Sequence, residues 1–179
     1  MRLRNSAFLL VSAISLALAP EAYTAGSSGG GGTPTCKKGW VWDSNKDKCV
    51  KKNAQIFPDS ELIKQAWALA HKGEFEAGRE LFNLVADKNN PEVLNGLGYT
   101  NRKLGHFPEG IAYYKKALEV DPNYAEAREY LGEGYVTIGK LDLAKEQLAE
   151  IRRICGTSCE EYADLNEAIE KAVKAAAAD

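Results

Sequence analysis

Four cysteines carry the most specific chemistry in this sequence, and they lie in two close pairs. Cys36 and Cys49 flank a short segment rich in Trp and Lys, while Cys155 and Cys159 are separated by three residues. Paired thiolates can hold a soft metal ion, exchange electrons with another thiol, or close a disulfide. Four cysteines allow three disulfide pairings, and proximity along the chain favours Cys36–Cys49 and Cys155–Cys159.

The sequence lacks the further residues that a redox or metal site at Cys155 and Cys159 would need. The C-x2-C redox motif lies beside a βαβ unit, and this sequence shows neither feature. The chain has only two histidines, His71 and His106, as further soft ligands. We therefore keep thiol or metal binding by Cys155 and Cys159 as an alternative, and we predict no bound metal or cofactor.

A calcium loop is the next candidate. Asp43, Asn45 and Asp47 match the D-x-N-x-D opening of such a loop. An EF-hand then needs Gly at its sixth position and Glu at its twelfth, where this sequence has Lys48 and Ala54. The segment is better interpreted as a turn.

The sequence shows no arrangement of residues that is typical of an active site. Glu126, Glu129 and Glu133 recur at helical spacing, which is typical of a solvated helix face. No Ser-His-Asp order, phosphate-binding loop or paired-carboxylate cleft stands out. We predict that the protein is not an enzyme.

The start of the chain resembles an export signal. Arg2 and Arg4 precede Ala7–Ala19, an uncharged apolar run that is too short to span a bilayer but suits a signal peptide. Cleavage after Ala22 or Gly26 leaves no further apolar run of membrane length. We predict a signal peptide at 1–26, a Gly/Ser linker at 27–35, and a protein that is periplasmic or secreted, with no integral membrane segment after cleavage.

Charge divides the remaining chain. The segment from Cys36 to Lys52 has a net charge of +4, and the segment from Asn53 to Asp179 has a net charge of −7. Because phosphate contact needs a basic face, the acidic main segment is not expected to bind nucleic acid.

The segment from Pro91 to Tyr124 has the pattern of one helical hairpin. Leu94, Leu97 and Asn101 share a helix face, Gly105 ends that helix, and a second helix ends at Asp121-Pro122. The segment resembles a tetratricopeptide repeat, whose 34-residue pattern contains L-G, A-x3-F and P at fixed offsets. The matching residues are Leu97, Gly98, Gly110, Tyr114, Ala117 and Pro122.

The resemblance extends to both sides of this repeat. Gly105 is 32 residues after Gly73 and 34 before Gly139, so we expect a shortened loop before Pro91. Gln65 stands where the family has Leu. The fold expected is all-α, with three repeat-like hairpins at 59–90, 91–124 and 125–158 and a capping helix at 159–179. Ser158 and Glu161 form a predicted capping box for that helix.

In this family the first helices of the repeats form a concave surface for ligands. The resemblance therefore implies a protein or peptide partner in the cell envelope. Trp67 and Tyr99 are the expected anchors, unless they stack on residues 50–58 of the same chain. The lysine and asparagine clamp with which some relatives hold a C-terminal carboxylate is replaced here by Ile63, Trp67, Glu126 and Tyr130. The predicted partner-binding residues are Lys64, Trp67, Asn95, Tyr99, Arg102 and Glu133.

The basic loop at 36–52 supplies the alternative binding site. Trp40, Val41 and Trp42 form a short extended run, turn residues follow, and the return run contains Cys49. We predict a small hairpin closed by a disulfide, which would be marginal without that bond. Its aromatic and basic side chains could hold an envelope polymer through Lys37, Lys38, Trp40 and Trp42.

Overall fold

The computed structural model describes residues 34–37, 39–44, 46–51 and 57–177. The predicted signal peptide, most of the linker and residues 52–56 lie outside these ranges, so those predictions stay untested. Within the described part, a two-stranded hairpin precedes seven helices. The elements are β1 (Trp40–Asp43), β2 (Lys48–Lys51), α1 (Asp59–His71), α2 (Phe75–Phe82), α3 (Pro91–Lys103), α4 (Phe107–Val120), α5 (Ala125–Thr137), α6 (Leu141–Cys155) and α7 (Glu160–Ala176).

The helices pair in sequence as three antiparallel hairpins, and α7 follows them. Gly73, Gly105 and Gly139 lie just after α1, α3 and α5, with φ angles of 84°, 83° and 75°. Only glycine adopts this left-handed conformation without strain, so each glycine ends its helix and allows the tight turn. Each hairpin packs on the next one, and α7 packs on both α5 and α6. The predicted all-α array with a C-terminal capping helix is confirmed.

Small residues bring the two helices of a hairpin close together. A Cβ atom at Gly98 would lie 2.5 Å from the ring of Tyr114, and one at Gly110 would lie 3.0 Å from the carbonyl oxygen of Gly98. The Tyr114 side chain is fully buried as a result. The L-G signature of the repeat thus marks the point where α3 and α4 meet.

The first repeat is shortened in its second helix. Helix α2 ends at Phe82, and residues 83–90 form a loop that buries Val85. The carboxylate of Asp59 accepts hydrogen bonds from the amides of Ala86 and Asp87 at 2.9 and 3.0 Å, which ties this loop to the start of α1. The expectation of a shortened loop was wrong, because the chain removes helix rather than loop.

The cysteine-closed loop forms the predicted hairpin and covers the open side of the first repeat. Strands β1 and β2 are antiparallel, with Trp42 opposite Cys49, and the Cys36–Cys49 disulfide closes them. Val41 is fully buried in the core that α1 and α2 form. The side chain of Gln65 accepts from the Trp42 amide and donates to the Trp42 carbonyl, both at 2.7 Å. Gln65 therefore departs from the repeat pattern because it binds an exposed strand edge.

The other end of the array is covered by α7. Leu165 and Ile169 are buried against residues of the third repeat, and the Cys155–Cys159 disulfide joins α6 to the start of α7. The predicted capping box was wrong, because the capping residue is Cys159 and no side chain there bonds the helix N-terminus. Among the described helices, none is long and apolar enough to cross a membrane.

Candidate functional site

Three aromatic side chains from successive repeats form a continuous row across the first helices. Trp67 of α1 lies 5.6 Å from Tyr99 of α3, and Tyr99 lies 5.1 Å from Tyr130 of α5, measured between ring centroids. All three side chains are half-buried. We call these three residues the aromatic row.

Further rings support the α1 end of the row. His71 stacks on Trp67 with centroids 5.3 Å apart, and Phe82 meets Trp67 edge-on at the same distance. Phe75 meets Tyr99 edge-on at 6.2 Å. Aromatic pairs in these arrangements stabilise one another beyond the area they bury, so the row is held in place before any ligand arrives.

Arg102 supplies the positive charge of this region, and the chain itself neutralises it. Its guanidinium lies 5.8 Å from the Tyr99 ring and 5.7 Å from the Tyr130 ring. Its Nη2 is 2.6 Å from a carboxylate oxygen of Glu133, and its Nε donates to the Tyr114 hydroxyl at 3.3 Å. Burial alone would lower the pKa of Arg102, but Tyr114 and Glu133 raise it, so the guanidinium stays charged.

The predicted partner-binding residues differ in their exposure. Lys64 is exposed at the side of α1, and Trp67 and Tyr99 lie in the aromatic row. Arg102 and Glu133 lie beside the row but bind each other. Asn95 is fully buried, so the expectation that it contacts a partner directly is wrong.

Asn95 instead organises a polar network on the α5 side. Its amide nitrogen donates to the Tyr124 hydroxyl at 3.3 Å and to Glu126 at 3.1 Å. The hydroxyls of Tyr124 and Tyr130 donate to the two oxygens of the same carboxylate at 3.0 and 3.2 Å. Burial, followed by the Glu126 charge, raises the pKa of both tyrosines, so both remain protonated hydrogen-bond donors.

A cleft of about 430 Å³ lies between α5 and the start of α7. Tyr124 and Tyr130 line it, so it adjoins the end of the aromatic row. Its other lining residues are strongly acidic, and we call it the acidic cleft. The carboxylates that line it belong to Asp121, Glu126, Glu129, Glu160, Glu161 and Asp164.

The exposure of Glu129 differs from the one that the sequence pattern predicted. It is 7% exposed, although helical spacing indicated a solvated face. Burial and then the charges of Glu133, Asp164, Glu126 and Glu161 raise its pKa to about 8. The spacing of the glutamates on α5 was visible in the sequence, but nothing there indicated that α7 would cover them.

The first alternative site is the cysteine pair at the junction of α6 and α7. Cys155 and Cys159 lie within reach of Glu161, but both sulfurs are in a disulfide, and none of the four cysteines is free. The thiol or metal alternative therefore has no thiolate in this structure.

The basic hairpin keeps three of its four predicted binding residues, Lys37, Trp40 and Trp42, at or near the surface. Trp40 and Trp42 are partly exposed, and the ammonium of Lys37 lies 4.9 Å from the Trp40 ring. Lys38 lies outside the described residues. The hairpin also has a structural task, because Val41 and the backbone of Trp42 bind α1.

Comparison with known proteins bears on the repeat and the fold. Residues 91–124 match the family model of the tetratricopeptide repeat. No curated protein matches the chain. The first repeat domain of Spaghetti (RPAP3), solved with an HSP90 peptide, is 16% identical over 66% of this chain and 93% of its own, with a TM-score of 0.57.

Two further solved structures have the same architecture. The TPR2B domain of yeast Sti1, in complex with Hsp70, is 18% identical over 65% of this chain and 97% of its own, with a TM-score of 0.59. The Yersinia enterocolitica chaperone SycD, in complex with a peptide of the translocator YopD, is 18% identical over 65% of this chain and 89% of its own, with a TM-score of 0.55. Residues 91–124 thus match the tetratricopeptide repeat, and the chain shares the fold of the tetratricopeptide-repeat domains in these solved structures.

Proposed function

We propose that this chain is a protein–protein interaction module that binds an extended segment of a protein partner across the aromatic row. The observation that carries this proposal is the continuity of the row over three successive repeats. Trp and Tyr side chains offer a large contact area with little conformational entropy to lose, which is why they dominate binding hot spots.

Relatives of the same fold support a peptide ligand. RPAP3, Sti1 and SycD were each solved with a peptide or a chaperone-derived partner. In this chain, however, the positions of the carboxylate clamp hold no cation. The partner segment is therefore bound through aromatic and apolar contact along the row, and not through a C-terminal carboxylate.

We place this activity in the cell envelope, in the periplasm or outside the cell. The apolar run after Arg2 and Arg4 supports export, and two disulfides suit an oxidising compartment. Fractionation of cells that produce the full chain should recover a shortened protein outside the cytoplasm. Recovery of the unshortened chain in the cytoplasm would reject this location.

The binding proposal is tested by capture from an envelope extract with residues 36–179 as bait. The variant Trp67→Ala/Tyr99→Ala removes two members of the row, and Trp40→Ala removes an aromatic side chain of similar size from the basic hairpin. Thermal unfolding of each bait shows whether it is folded. Since Trp67 also packs on Phe82, Tyr99→Ala alone serves as the milder variant.

We expect one protein to be captured by the wild-type chain and by Trp40→Ala, and lost from both row variants. Equal capture by all folded baits would overturn the proposal. If purified wall material binds the wild-type chain and only Trp40→Ala loses it, the hairpin is the site and the envelope-polymer alternative is correct.

A further inference from the structure

The acidic cleft concentrates negative charge that the chain leaves uncompensated. Six carboxylates line its wall. Among the described residues, the ion pairs of Arg102 and Arg128 go to Glu133 and Glu150, outside this set. None of the other ion pairs in that part of the chain reaches the six carboxylates. The described residues therefore supply no cation to the cleft.

The burial of Glu129 distinguishes the acidic cleft from the other acidic groups on the surface. Its side chain is more than nine-tenths buried and lines the cleft. Within the described ranges it has no hydrogen bond and no ion pair. Because the carboxyl group lines the cleft and has no partner among the described residues, it is available to a donor that arrives from outside the chain.

The arrangement of the carboxylates indicates the kind of donor. A metal ion would need several ligand atoms that converge on one point. In the described part of the chain, the only three acidic, Cys or His ligand atoms within 4.8 Å of one another belong to Cys155, Cys159 and Glu161. A long side chain with several N–H groups can instead reach acceptors that are spread over a wall.

Tyrosine rings complete this environment. Tyr124 and Tyr130 line the cleft, and Glu126 holds both hydroxyls. Their orientation is therefore fixed, and ring faces in such a cleft attract a guanidinium or ammonium group. A volume of about 430 Å³ lies within the range of ligand sites and is sufficient for one long side chain.

The helix dipoles oppose a cation here, but they are too small to decide the outcome. The N-termini of α5 and α7 both border the cleft, and each contributes roughly half a positive charge. The other five carboxylates exceed this contribution even with Glu129 protonated.

We infer that the acidic cleft receives one arginine or lysine side chain of the partner segment, with the Glu129 carboxylate as its innermost acceptor. This inference rests on the proposed function, because the cleft adjoins the α5 end of the aromatic row. It predicts that the recognised segment contains a basic residue next to the part that lies on the row.

The test uses a single-residue probe, so that it does not depend on finding the partner. The ¹⁵N-labelled chain 36–179 is titrated with N-acetyl-arginine methylamide and with its uncharged counterpart, N-acetyl-citrulline methylamide. Glu129→Gln keeps an acceptor oxygen at the innermost position but cannot carry a negative charge, and Asp164→Asn provides a second variant in the cleft. Glu170→Gln is the matched control, because Glu170 is an exposed acid of α7 that pairs with Lys174.

We expect the arginine compound to cause saturable shifts in amides of α5 and the first turn of α7, with no comparable shifts from citrulline. Glu129→Gln should weaken binding roughly fivefold, the difference expected between a charged and a neutral acceptor, while Glu170→Gln should leave it unchanged. Equal shifts from citrulline, or unchanged affinity in both cleft variants, would overturn the inference.

Two further results keep this inference separate from the proposed function. If CaCl2 or MgCl2 shifts the same amides and the arginine compound does not, the cleft is a metal site and the inference is wrong. If the arginine compound binds as expected while Trp67→Ala/Tyr99→Ala captures the same proteins as the wild-type chain, the cleft inference stands and the aromatic-row proposal fails.

Discussion

The aromatic row and the acidic cleft lie side by side on the first helices, yet they differ in how their charges are satisfied. Beside the row, Arg102 is half-buried, and Glu133 and Tyr114 bind it. In the cleft, Glu129 is buried and no described residue pairs with it. The charge beside the row is therefore compensated within the chain, whereas the described residues do not compensate the charge of the cleft.

One position in the repeat explains how the counter-charge of Arg102 arises. Trp67, Tyr99 and Glu133 each lie six residues before the glycine that ends the first helix. The third repeat thus replaces the aromatic residue by an acid, and Tyr130, one turn earlier, continues the row. The acid at this position pairs with Arg102, so it belongs to the surroundings of the row and not to the cleft.

Arg102→Met is expected to have the largest effect. It would leave the Glu133 carboxylate beside the row without its cation, so that the row, like the cleft, would contain an unpaired carboxylate. We expect the free energy of unfolding to fall by about 2.5 kcal/mol, because Met cannot replace the contacts of the guanidinium with Glu133 and Tyr114. Urea denaturation measures this change. Lys103→Met removes an exposed cation one residue along and should cost less than about 0.5 kcal/mol. A loss as small as that for Arg102→Met would contradict the comparison, and adding Glu133→Gln should recover part of the loss.

Glu129→Gln should have the opposite sign and should depend on pH. The folded-state pKa of Glu129 is raised from 4.5 to about 8, so between these values the folded chain holds a proton that the unfolded chain lacks. The free energy of unfolding of the wild-type chain therefore falls as pH rises through this window. Gln cannot ionise, so the variant should be more stable by about 2 kcal/mol above the window and nearly equal below it.

Urea denaturation across this pH range provides the measurement. Glu170→Gln, which removes an exposed carboxylate of α7, should follow the wild-type chain at every pH. A constant difference between Glu129→Gln and the wild-type chain would show that Glu129 ionises normally, and the cleft would then resemble an ordinary solvated surface.

Gln65→Leu tests how the α1 side of the row is supported. Leu fits the repeat pattern but cannot bind the amide and carbonyl of Trp42. We expect a loss of about 1.5 kcal/mol and faster hydrogen exchange at the Trp42 amide. Lys64→Leu, at an exposed neighbouring position, should change neither quantity. Unaltered exchange at Trp42 in the Gln65 variant would show that Val41 alone holds the hairpin.

The smallest effect separates the tyrosines of the two regions. Tyr124→Phe removes the hydroxyl that donates to Glu126 and accepts from Asn95, so we expect a loss of about 1 kcal/mol. Tyr99 makes no hydroxyl hydrogen bond within the described part of the chain, and Tyr99→Phe should be nearly neutral. Equal losses for the two variants would show that the polar network of the cleft does not contribute to stability.

The fold could be predicted because its signals are local. Gly105 and Gly139 end helices through their own backbone conformation, and Leu97-Gly98 marks a helix contact within one hairpin. The close spacing of the cysteines likewise predicted both disulfides that the structure contains. Each of these inferences uses residues that are near one another along the chain.

The functional surface was only partly predictable. Trp67 and Tyr99 stood outside the packing positions of the repeat, and they do form a row. Asn95 was expected at the surface and is buried, while Glu129 was expected in solvent and is buried as well. Both errors concern residues whose exposure is set by a neighbouring repeat or by α7.

The sequence by itself determined the helices, their order and the aromatic residues available to them, because turns and periodic apolar positions act over a few residues. Only the tertiary structure decided which of those residues face each other. The packing of α7 on α5 encloses the glutamates of α5 in a cleft, and the docking of β1 on α1 gives Gln65 its partner. Burial and charge pairing depend on distances between segments far apart in the chain, and periodicity carries no information about those distances.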